Sequence, residues 1–392
     1  MSTLPETEFI DTVQALEDFV SDARYASFLA VDTEFIRERT YWPELCLVQI
    51  MAGDRLACID PLQLGENEIK PLRELLLDTG MLKVFHAARQ DLEVFHYLWK
   101  QVPSPIFDTQ VAAAMLGYGD QVGYGGLVKR ICGVELAKGH TRTDWRARPL
   151  PAEAIEYAAD DVRYLVEVYE TLHAALTESA RLEWLQEEFD LLTDPGLYEP
   201  DPATAWKRVK GHNRLSPKQL GVLAALAEWR EERALEHDRP RRWILKDQVM
   251  IDLARQMPGT VADLEHLREL PERVRQQHGE EIVRRIQAGR EQPISTVSRP
   301  EPLTGHQEAL VDALMALLRA RCAEHEMSPA QVATRKQLEN LVRGETELPL
   351  LKGWRARMAG RDMQAFLNGT LVLGAGDNRL ESLPVEQDGE DG

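Results

Sequence analysis

The sequence predicts an α/β domain built on a mixed β-sheet, followed by two small all-α domains. Short apolar segments separated by turn residues occupy residues 28–60, and strand-like segments then alternate with helical periodicity from residue 81 onward. After about residue 150 the periodicity is helical and is interrupted by two Pro-rich stretches. Antiparallel strands followed by alternating strands and helices indicate a mixed sheet covered by helices.

Each segment assigned to the sheet has the length of a strand. After a first helix, "TVQALEDFVSDA", three apolar segments predict an antiparallel meander with turns at "YWP" and "AGD": "FLAVDTEF" (28–35), "ELCLVQIM" (44–51) and "RLACID" (55–60). "MLKVFHAA" (81–88) predicts a fourth strand that runs into a helix. "PIFDTQVAAAMLGY" predicts a fifth strand with its helix.

The C-terminal half predicts two helical domains. Ser216 and Pro217 have the pattern of an N-cap and a first helical residue, and Leu220, Leu223 and Leu226 recur at helical spacing behind them. Residues 377–392 hold six acids and one Arg, a composition that predicts a disordered acidic tail. The predicted boundaries are 1–195 for the α/β domain, 196–212 for a linker, 213–292 for the first helical domain, 293–304 for a second linker, 305–375 for the second helical domain and 376–392 for the tail.

Composition places the chain among folded proteins without a membrane span. With 392 residues and 44% hydrophobic content the chain can fold two or three cores. Its longest apolar runs fall short of the roughly 20 residues that a span needs, and the N-terminus lacks signal-peptide features, so we expect a cytoplasmic protein with no membrane partner. The four cysteines lie far apart, which argues against a zinc site and a disulfide framework.

The net charge of −19 argues against a nucleic-acid partner only if its distribution is ignored. Residues 206–246 carry eleven Lys or Arg against five Asp or Glu, and "KGHTRTDWRARP" (138–149) is also basic. Two interpretations stay open for these stretches: solvated faces, or surfaces that contact a polyanion.

Two acids lie within a predicted buried strand. Side chains two residues apart in a strand share a face, so Asp32 and Glu34 project side by side, with Thr33 on the opposite face. Acids are depleted in strands, and neighbouring buried carboxylates repel each other unless a cation neutralises them. This pattern favours a hard divalent cation such as Mg²⁺ or Mn²⁺, which prefers oxygen ligands.

Further acids are available at helical positions. Asp91 lies in the first turn of the helix after the fourth strand, and Asp161 follows Tyr157 by four residues on one helix face. Each acid alone has an ordinary structural alternative, as a first-turn acid or a surface charge. Their conjunction with Asp32 and Glu34 favours a metal centre.

The motifs around these acids resemble a known family. "VDTEF", "HAARQDLEVF" and "EYAADDVRYL" are similar to the three exonuclease motifs of the DEDD superfamily, and Tyr157-x-x-x-Asp161 has the spacing of its tyrosine branch. "FIRERTYWPELCLVQI" (35–50) and "RTDWRARPL" (142–150) resemble bacterial ribonuclease D. The two helical domains resemble the paired HRDC domains of that family, the second being more divergent.

The resemblance implies a fold, an activity and a site. The fold would be a ribonuclease-H-like mixed-sheet exonuclease domain followed by two HRDC-like domains that bind nucleic acid. The activity would be 3′→5′ exoribonuclease cleavage with two divalent metal ions, Mg²⁺ or Mn²⁺, releasing nucleoside 5′-monophosphates. Its residues would be the metal ligands and catalytic acids Asp32, Glu34, Asp91 and Asp161, with Tyr157 holding the attacking water.

Substrate contacts are predicted at Thr33, Phe35, Tyr124 and Arg142. Arg142, Arg146 and Arg148 with Trp145 combine cations and an aromatic ring that could grip RNA; alternatively Trp145 is a core residue and the arginines are solvated. Tyr124 lies in the Gly-rich "GYGDQVGYGGL", a loop predicted near the substrate. Asp160 is one residue off the motif spacing and is therefore predicted to lie outside the ligand set.

The predicted partner is RNA, in the form of tRNA precursors or other structured RNA with a 3′ overhang, and the predicted state is a monomer. Two alternatives remain at this stage: a DNA 3′→5′ exonuclease, since the same metal chemistry serves both substrates, and a non-catalytic RNA-binding protein that uses the sheet domain as a scaffold.

Overall fold

The structure is a computed structural model, and it describes residues 5–137, 143–267, 269–295 and 301–385. The chain divides into two compact units. One unit comprises Met1–Glu34, Leu45–Leu197 and Pro302–Gly392, and the other comprises Phe35–Glu44 and Tyr198–Glu301.

A six-stranded mixed sheet organises residues 5–108. Its spatial order is β1-β4-β3-β2-β5-β6. Strands β3 and β4 pair antiparallel, whereas the pairs β1–β4, β2–β5 and β5–β6 are parallel. The strands are β1 (Thr7–Ile10), β2 (Phe28–Ile36), β3 (Glu44–Ala52), β4 (Arg55–Ile59), β5 (Leu82–Phe85) and β6 (Ile106–Asp108).

The predicted mixed sheet is confirmed, with one strand more than the sequence indicated. The edge strand β1 lies in the N-terminal stretch "TEFI", which mixes polar and apolar residues over only four positions. So short a segment carries no periodic signal, and its strand conformation comes from parallel pairing with β4.

Nine helices accompany this sheet in the described part of residues 5–197. They are α1 (Val13–Ala23), α2 (Pro61–Leu64), α3 (Lys70–Leu76), α4 (Arg89–Trp99), α5 (Thr109–Met115), α6 (Tyr124–Ile131), α7 (Ala152–Arg163), α8 (Leu165–Glu178) and α9 (Leu182–Thr193). The small residues Ala154, Ala158 and Ala159 of α7 are buried, and α7 lies against β4 and β1.

The second unit is helical and has its own hydrophobic core. Its helices are α10 (Pro217–Glu236), α11 (Arg241–Ile244), α12 (Asp247–Gln256) and α13 (Glu272–Glu291). Ser216 caps α10 with Pro217 at the first helical position, as the sequence predicts, and Gln219 completes a capping box that was not predicted. Helices α10 and α13 approach closely at Gly221, where a Cβ would lie 2.4 Å from the carbonyl oxygen of Gly289.

The stretch 196–212 is predicted to be a linker, but residues 198–212 belong to this second unit. Ala205 and Val209 are buried in its core, on or next to the short 3₁₀ helix Pro202–Arg208. A 3₁₀ helix has three residues per turn, so this stretch lacks the 3.6-residue hydrophobic period of an α-helix.

The C-terminal segment packs with the sheet domain in the first unit. It contains α14 (Gly305–Glu324), α15 (Pro329–Val332), α16 (Arg335–Val342), α17 (Gly353–Arg355), α18 (Arg361–Leu367), β7 (Leu371–Gly376) and β8 (Arg379–Pro384). Trp354 of α17 stacks on Trp184 of α9 with ring centres 5.3 Å apart and planes 4° from parallel. Its indole nitrogen donates to Glu188 at 3.2 Å, and Arg355 donates to the same carboxylate at 2.6 Å.

The prediction of a disordered tail from residue 376 is wrong for residues 376–384. Strands β7 and β8 form an antiparallel hairpin around the turn at Asp377 and Asn378, both of which have positive φ. Asn and Asp tolerate this conformation, and the hairpin packs on α14 and α18. The acidic residues 386–392 lie outside the described residues. In the described part of the chain, every helix is too short or too polar to cross a bilayer.

Candidate active site

Strand β2 presents two acids on one face, as its alternation predicts. Asp32 and Glu34 are partly buried, and Thr33 between them is buried on the opposite side. The neighbouring residues Leu29, Ala30 and Val31 are fully buried, so the strand that carries the acids is fixed by the core.

Helix α7 brings a third acid to this pair. One carboxylate oxygen each of Asp32, Glu34 and Asp161 lies within 4.8 Å of the other two. The four-residue spacing puts Tyr157 on the same face of α7, one turn before Asp161. The sequence prediction that acids from distant segments converge is therefore realised for these three.

The fourth acid, Asp91, lies beside this cluster. It is buried in the first turn of α4, and its carboxylate accepts a hydrogen bond from the Thr33 hydroxyl at 2.5 Å. It does not belong to the group of three acids within 4.8 Å, but its charge contributes to raising the pKa of Asp32 and of Glu34. The Thr33 side chain, predicted to contact substrate, is thus bonded to Asp91.

All four carboxyl groups have pKa values above their ordinary range. Burial is the largest cause in each case. The charges of Asp91 and Asp161 also raise the pKa values of Asp32 and Glu34, whereas the neighbouring acid that raises the pKa of Asp161 is Asp160 and the one that raises the pKa of Asp91 is Asp108. The pKa of Glu34 is raised to about 8, and those of Asp91 and Asp161 to about 7. The pKa of Asp32 is raised well above its usual value. A bound cation would stabilise the ionised forms of these four neighbouring carboxyl groups.

The Tyr157 hydroxyl stays protonated at neutral pH. Its pKa is raised by burial first and then by the charges of Asp161, Glu34 and Asp32. A neutral phenol is a hydrogen-bond donor and a weak base.

Tyr124 lies near the acids with its hydroxyl already bonded. The hydroxyl donates to the backbone oxygen of Asp160 at 2.9 Å, and the pKa of Tyr124 is raised by burial and then by Asp161 and Asp32. Its ring faces His86, with the ring centres 5.5 Å apart. A substrate contact at Tyr124 would therefore involve the ring.

The other two residues predicted to contact the substrate are Phe35 and Arg142. Phe35 is partly buried near the end of β2, on the face opposite Glu34. It is the first residue of the segment Phe35–Glu44, which belongs to the second unit. Arg142 lies outside the described residues.

The basic stretch before α7 is largely structural. Trp145 is buried, as the core interpretation predicted. Arg148 donates to the fully buried Asp60 at 2.5 and 2.8 Å and to the carbonyl oxygen of Cys46 at 2.8 Å. The interpretation of Arg148 as an RNA-gripping or solvated residue is wrong, because its guanidinium is committed to these partners. Arg146 is exposed.

Helix α7 is anchored at its other end by Arg163. This side chain pairs with Asp160 and donates to Glu156 and Thr7, each at 2.9 Å. Asp160 thus has an ion-pair partner of its own, consistent with its predicted place outside the ligand set. Sequence reasoning missed Arg163, although a cation three residues after Asp160 is a recognisable helical pair.

Sequence reasoning also missed the support beneath Asp91. The buried carboxylate of Asp108 accepts from the backbone amides of Ala87 and Ala88 at 3.0 and 2.9 Å, and Ala87 has a φ of 60°. These bonds hold the turn that leads into α4. The detectable signal was Asp108 between a strand and a helix, the usual position of an N-cap, which it also provides for α5.

The chain matches two family models. The model described as 3′-5′ exonuclease matches residues 7–177, which include all five predicted catalytic residues. The model of the HRDC domain matches residues 219–286, within the second unit.

Curated relatives match the chain along nearly its full length. Ribonuclease D of Gluconacetobacter diazotrophicus is 39% identical over 390 residues, which cover 97% of this chain and 98% of that protein. Ribonuclease D of Granulibacter bethesdensis is 36% identical over 392 residues, with 97% of each chain covered.

Two solved structures are similar to this chain over most of its length. The crystal structure of Escherichia coli RNase D, described as an exoribonuclease involved in structured RNA processing, superposes with a TM-score of 0.81 at 30% identity, covering 93% of this chain and 99% of that one. The catalytic core of RRP6 from Trypanosoma brucei superposes with a TM-score of 0.59 at 25% identity, over 74% and 81% of the two chains.

The full-length matches cover both the ribonuclease-H-like exonuclease domain and the helical segments that follow it. They favour the exoribonuclease prediction over its DNA-specific and non-catalytic alternatives, and they imply an RNA substrate and divalent metal ions. The chain is therefore a 3′→5′ exoribonuclease and belongs to the ribonuclease D family.

Proposed function

We propose that Asp32, Glu34, Asp91 and Asp161 hold two divalent cations, Mg²⁺ or Mn²⁺, and that Tyr157 orients the water that attacks the last phosphodiester of an RNA 3′ end. The observation that carries this proposal is the cluster of Asp32, Glu34 and Asp161, whose carboxylate oxygens lie within 4.8 Å of one another.

The donor set fits such cations. The cluster offers carboxylate oxygens only, the ligands that Mg²⁺ and Mn²⁺ prefer, from groups whose pKa values are raised mainly by burial and further by neighbouring acids. The charge of Asp91 contributes to raising the pKa of Asp32, so Asp91 would add a further carboxylate beside the cluster. Bound divalent cations activate water and stabilise both the phosphoryl oxygens and the leaving 3′ oxygen.

The protein's own groups contribute position and charge. Tyr157 donates from a hydroxyl that is protonated at neutral pH, so its role is to hold the attacking water in line and not to remove its proton. Thr33 holds Asp91 in place, and Arg163 pairs with Asp160. The products would be nucleoside 5′-monophosphates.

We further propose that the substrates are tRNA precursors or other structured RNAs with a single-stranded 3′ overhang. The E. coli relative is described as acting in structured RNA processing. The basic residues between 206 and 246, in the second unit, support a role for this unit in contacting phosphates. That the protein acts as a monomer in the cytoplasm stays a prediction.

The test is cleavage of a 5′-labelled RNA oligomer by the full-length protein, with a DNA oligomer of the same sequence in parallel. We expect stepwise shortening of the RNA from its 3′ end, release of 5′-monophosphates, and complete dependence on Mg²⁺ or Mn²⁺. Asp32→Asn should abolish cleavage. Cleavage of the DNA at the same rate would restore the alternative of a DNA exonuclease.

Asp160→Asn is a matched control for the ligand assignment. Asp160 is adjacent to Asp161 on α7 but pairs with Arg163, so its substitution should leave metal-dependent cleavage in place. If Asp160→Asn and Asp161→Asn lose activity to the same degree, the assignment of the ligands is wrong.

A further inference from the structure

The second unit carries an exposed aromatic side chain on its shortest helix. Trp243 of α11 is 56% exposed, and the guanidinium of Arg239 lies 6.0 Å from the centre of its ring. A single exposed apolar residue is ordinary on a protein surface. Trp243 differs in the rigidity of its backbone and in the charges that surround it.

Helix α11 is held on both sides of Trp243. Arg241 donates to the buried carboxylate of Glu231 at 2.6 and 2.7 Å. On the other side, Arg230 donates to the backbone oxygen of the buried residue Leu245 at 3.0 Å. The backbone that carries the indole is therefore held before any ligand binds, which lowers the entropy cost of binding.

Three cations border the indole in the sequence. Arg239, Arg242 and Lys246 are exposed, and within the described part of the chain they form no ion pair. Arg239 contacts the ring itself. Unpaired cations next to an exposed aromatic face are the combination that binds single-stranded nucleic acid.

Three acids close to α11 in the chain already accept hydrogen bonds. Asp238 accepts from the backbone amide of Tyr41 at 2.9 Å, and Asp247 accepts from Arg230 at 2.6 Å. Glu231 accepts from the Tyr41 hydroxyl at 2.5 Å in addition to its bonds with Arg241. These three acids stand against five cations, Arg230, Arg239, Arg241, Arg242 and Lys246, so the local charge at α11 is positive in a chain whose net charge is −19.

We propose that Trp243, with Arg239, Arg242 and Lys246, is a binding site for an unpaired stretch of RNA. One base stacks on the indole, and the cations contact the phosphates beside it. This inference rests on the proposed function, since the protein must act on RNA for the site to be used. Bases within a duplex are covered on both faces by their neighbours, so the site selects single-stranded nucleotides.

Binding to the full-length protein with Asp32→Asn, which leaves the RNA intact, tests the site. The probes are a long single-stranded oligoadenylate and a duplex RNA of the same length. Trp243→Ala should weaken binding of the single strand by about 5- to 100-fold, the range for loss of one stacked base, and should affect the duplex much less. Arg242→Gln should lower the slope of log affinity against log salt concentration by about 0.7 on the single strand.

Two further substitutions distinguish base stacking on an aromatic ring from contact with apolar side-chain volume. Trp243→Phe keeps an aromatic face and should retain most of the affinity, whereas Trp243→Leu keeps only apolar volume and should behave like Trp243→Ala. Tyr25→Ala is the matched control, because Tyr25 is 90% exposed and belongs to the other unit. Its affinity should equal that of the parent.

The site is overturned if Trp243→Ala binds the single strand with parental affinity, if single strand and duplex lose affinity equally, or if Trp243→Leu matches Trp243→Phe. The protein with Asp32 intact, assayed on a short RNA, tests the proposed function separately. Cleavage there, combined with unchanged binding in Trp243→Ala, would reject the site and leave the function standing.

Discussion

The hydroxyl of Thr33 donates a hydrogen bond of 2.5 Å to the carboxylate of Asp91. This bond joins strand β2, which carries Asp32 and Glu34, to helix α4, which carries Asp91. Thr33 projects to the opposite side of β2 from Asp32 and Glu34. One three-residue stretch therefore supplies two candidate ligands directly and restrains a third through its side chain.

Thr33→Val should lower the cleavage rate by about 10- to 100-fold, the usual cost of removing a group that orients a metal ligand. The Mg²⁺ concentration needed for half-maximal rate should rise, because Asp91 loses the donor that holds it. Thr33→Ser should retain most of the activity. If Thr33 instead contacts RNA, as the sequence prediction stated, KM for RNA will rise while the Mg²⁺ dependence stays parental.

Tyr157→Phe should reduce kcat by about 10²-fold or more while leaving metal binding intact, because the hydroxyl positions water and is not a proposed ligand. Asp161→Asn should weaken both cleavage and metal binding. Single-turnover cleavage and titration calorimetry with Mn²⁺ measure the two quantities. A Tyr157→Phe protein that cleaves RNA at the parental rate would remove Tyr157 from the mechanism.

Without divalent cations, the melting temperature should fall as pH rises from about 5 to about 8. The pKa of Glu34 is raised to about 8 and that of Asp161 to about 7, so in this range the folded protein holds more protons than the unfolded chain. The free energy of unfolding then decreases with pH. Millimolar Mg²⁺ or Mn²⁺ should reverse the fall at the upper end, because it binds the folded state.

Glu34→Gln should flatten this pH dependence in the presence of a chelator, since one of the titrating groups is lost. Calorimetric melting of the parent and of Glu34→Gln, with and without Mg²⁺, checks the prediction. A melting temperature that is independent of both pH and cations would contradict the four-acid site.

Trp354→Ala should destabilise the sheet domain together with the C-terminal segment, by about 3–5 kcal/mol, the usual cost of truncating a buried Trp. Trp354 is fully buried, stacks on Trp184 and donates to Glu188, so its loss exposes the face of α9. Urea unfolding measures the change.

Val372→Ala is the matched control in the same segment, because Val372 is 47% exposed and its substitution should change stability by about 0.5 kcal/mol or less. Equal stabilities of Trp354→Ala and Val372→Ala would show that the stacking contributes nothing. The prediction also implies that a chain ending near residue 200 loses stability, because Trp184 would lose its partner.

Much of the site could be predicted from the sequence because local geometry determines it. The two-residue period of a strand puts Asp32 and Glu34 on one face, and the helical period aligns Tyr157 with Asp161. The N-cap at Ser216, with Pro217 behind it, is likewise a local property of consecutive residues. Patterns of this kind depend on backbone conformation alone, and the resemblance to a known family named the same residues.

Only the tertiary structure decided which residues contact one another across the chain. Periodicity shows that a side chain is buried but not what it meets. Arg148 was predicted to grip RNA or lie in solvent and instead bonds with Asp60, 88 residues away. Likewise Thr33 meets Asp91, 58 residues along the chain, and Trp354 stacks on Trp184. Such partners are selected by the free energy of packing and hydrogen bonding in the folded chain, which no local pattern of residues encodes.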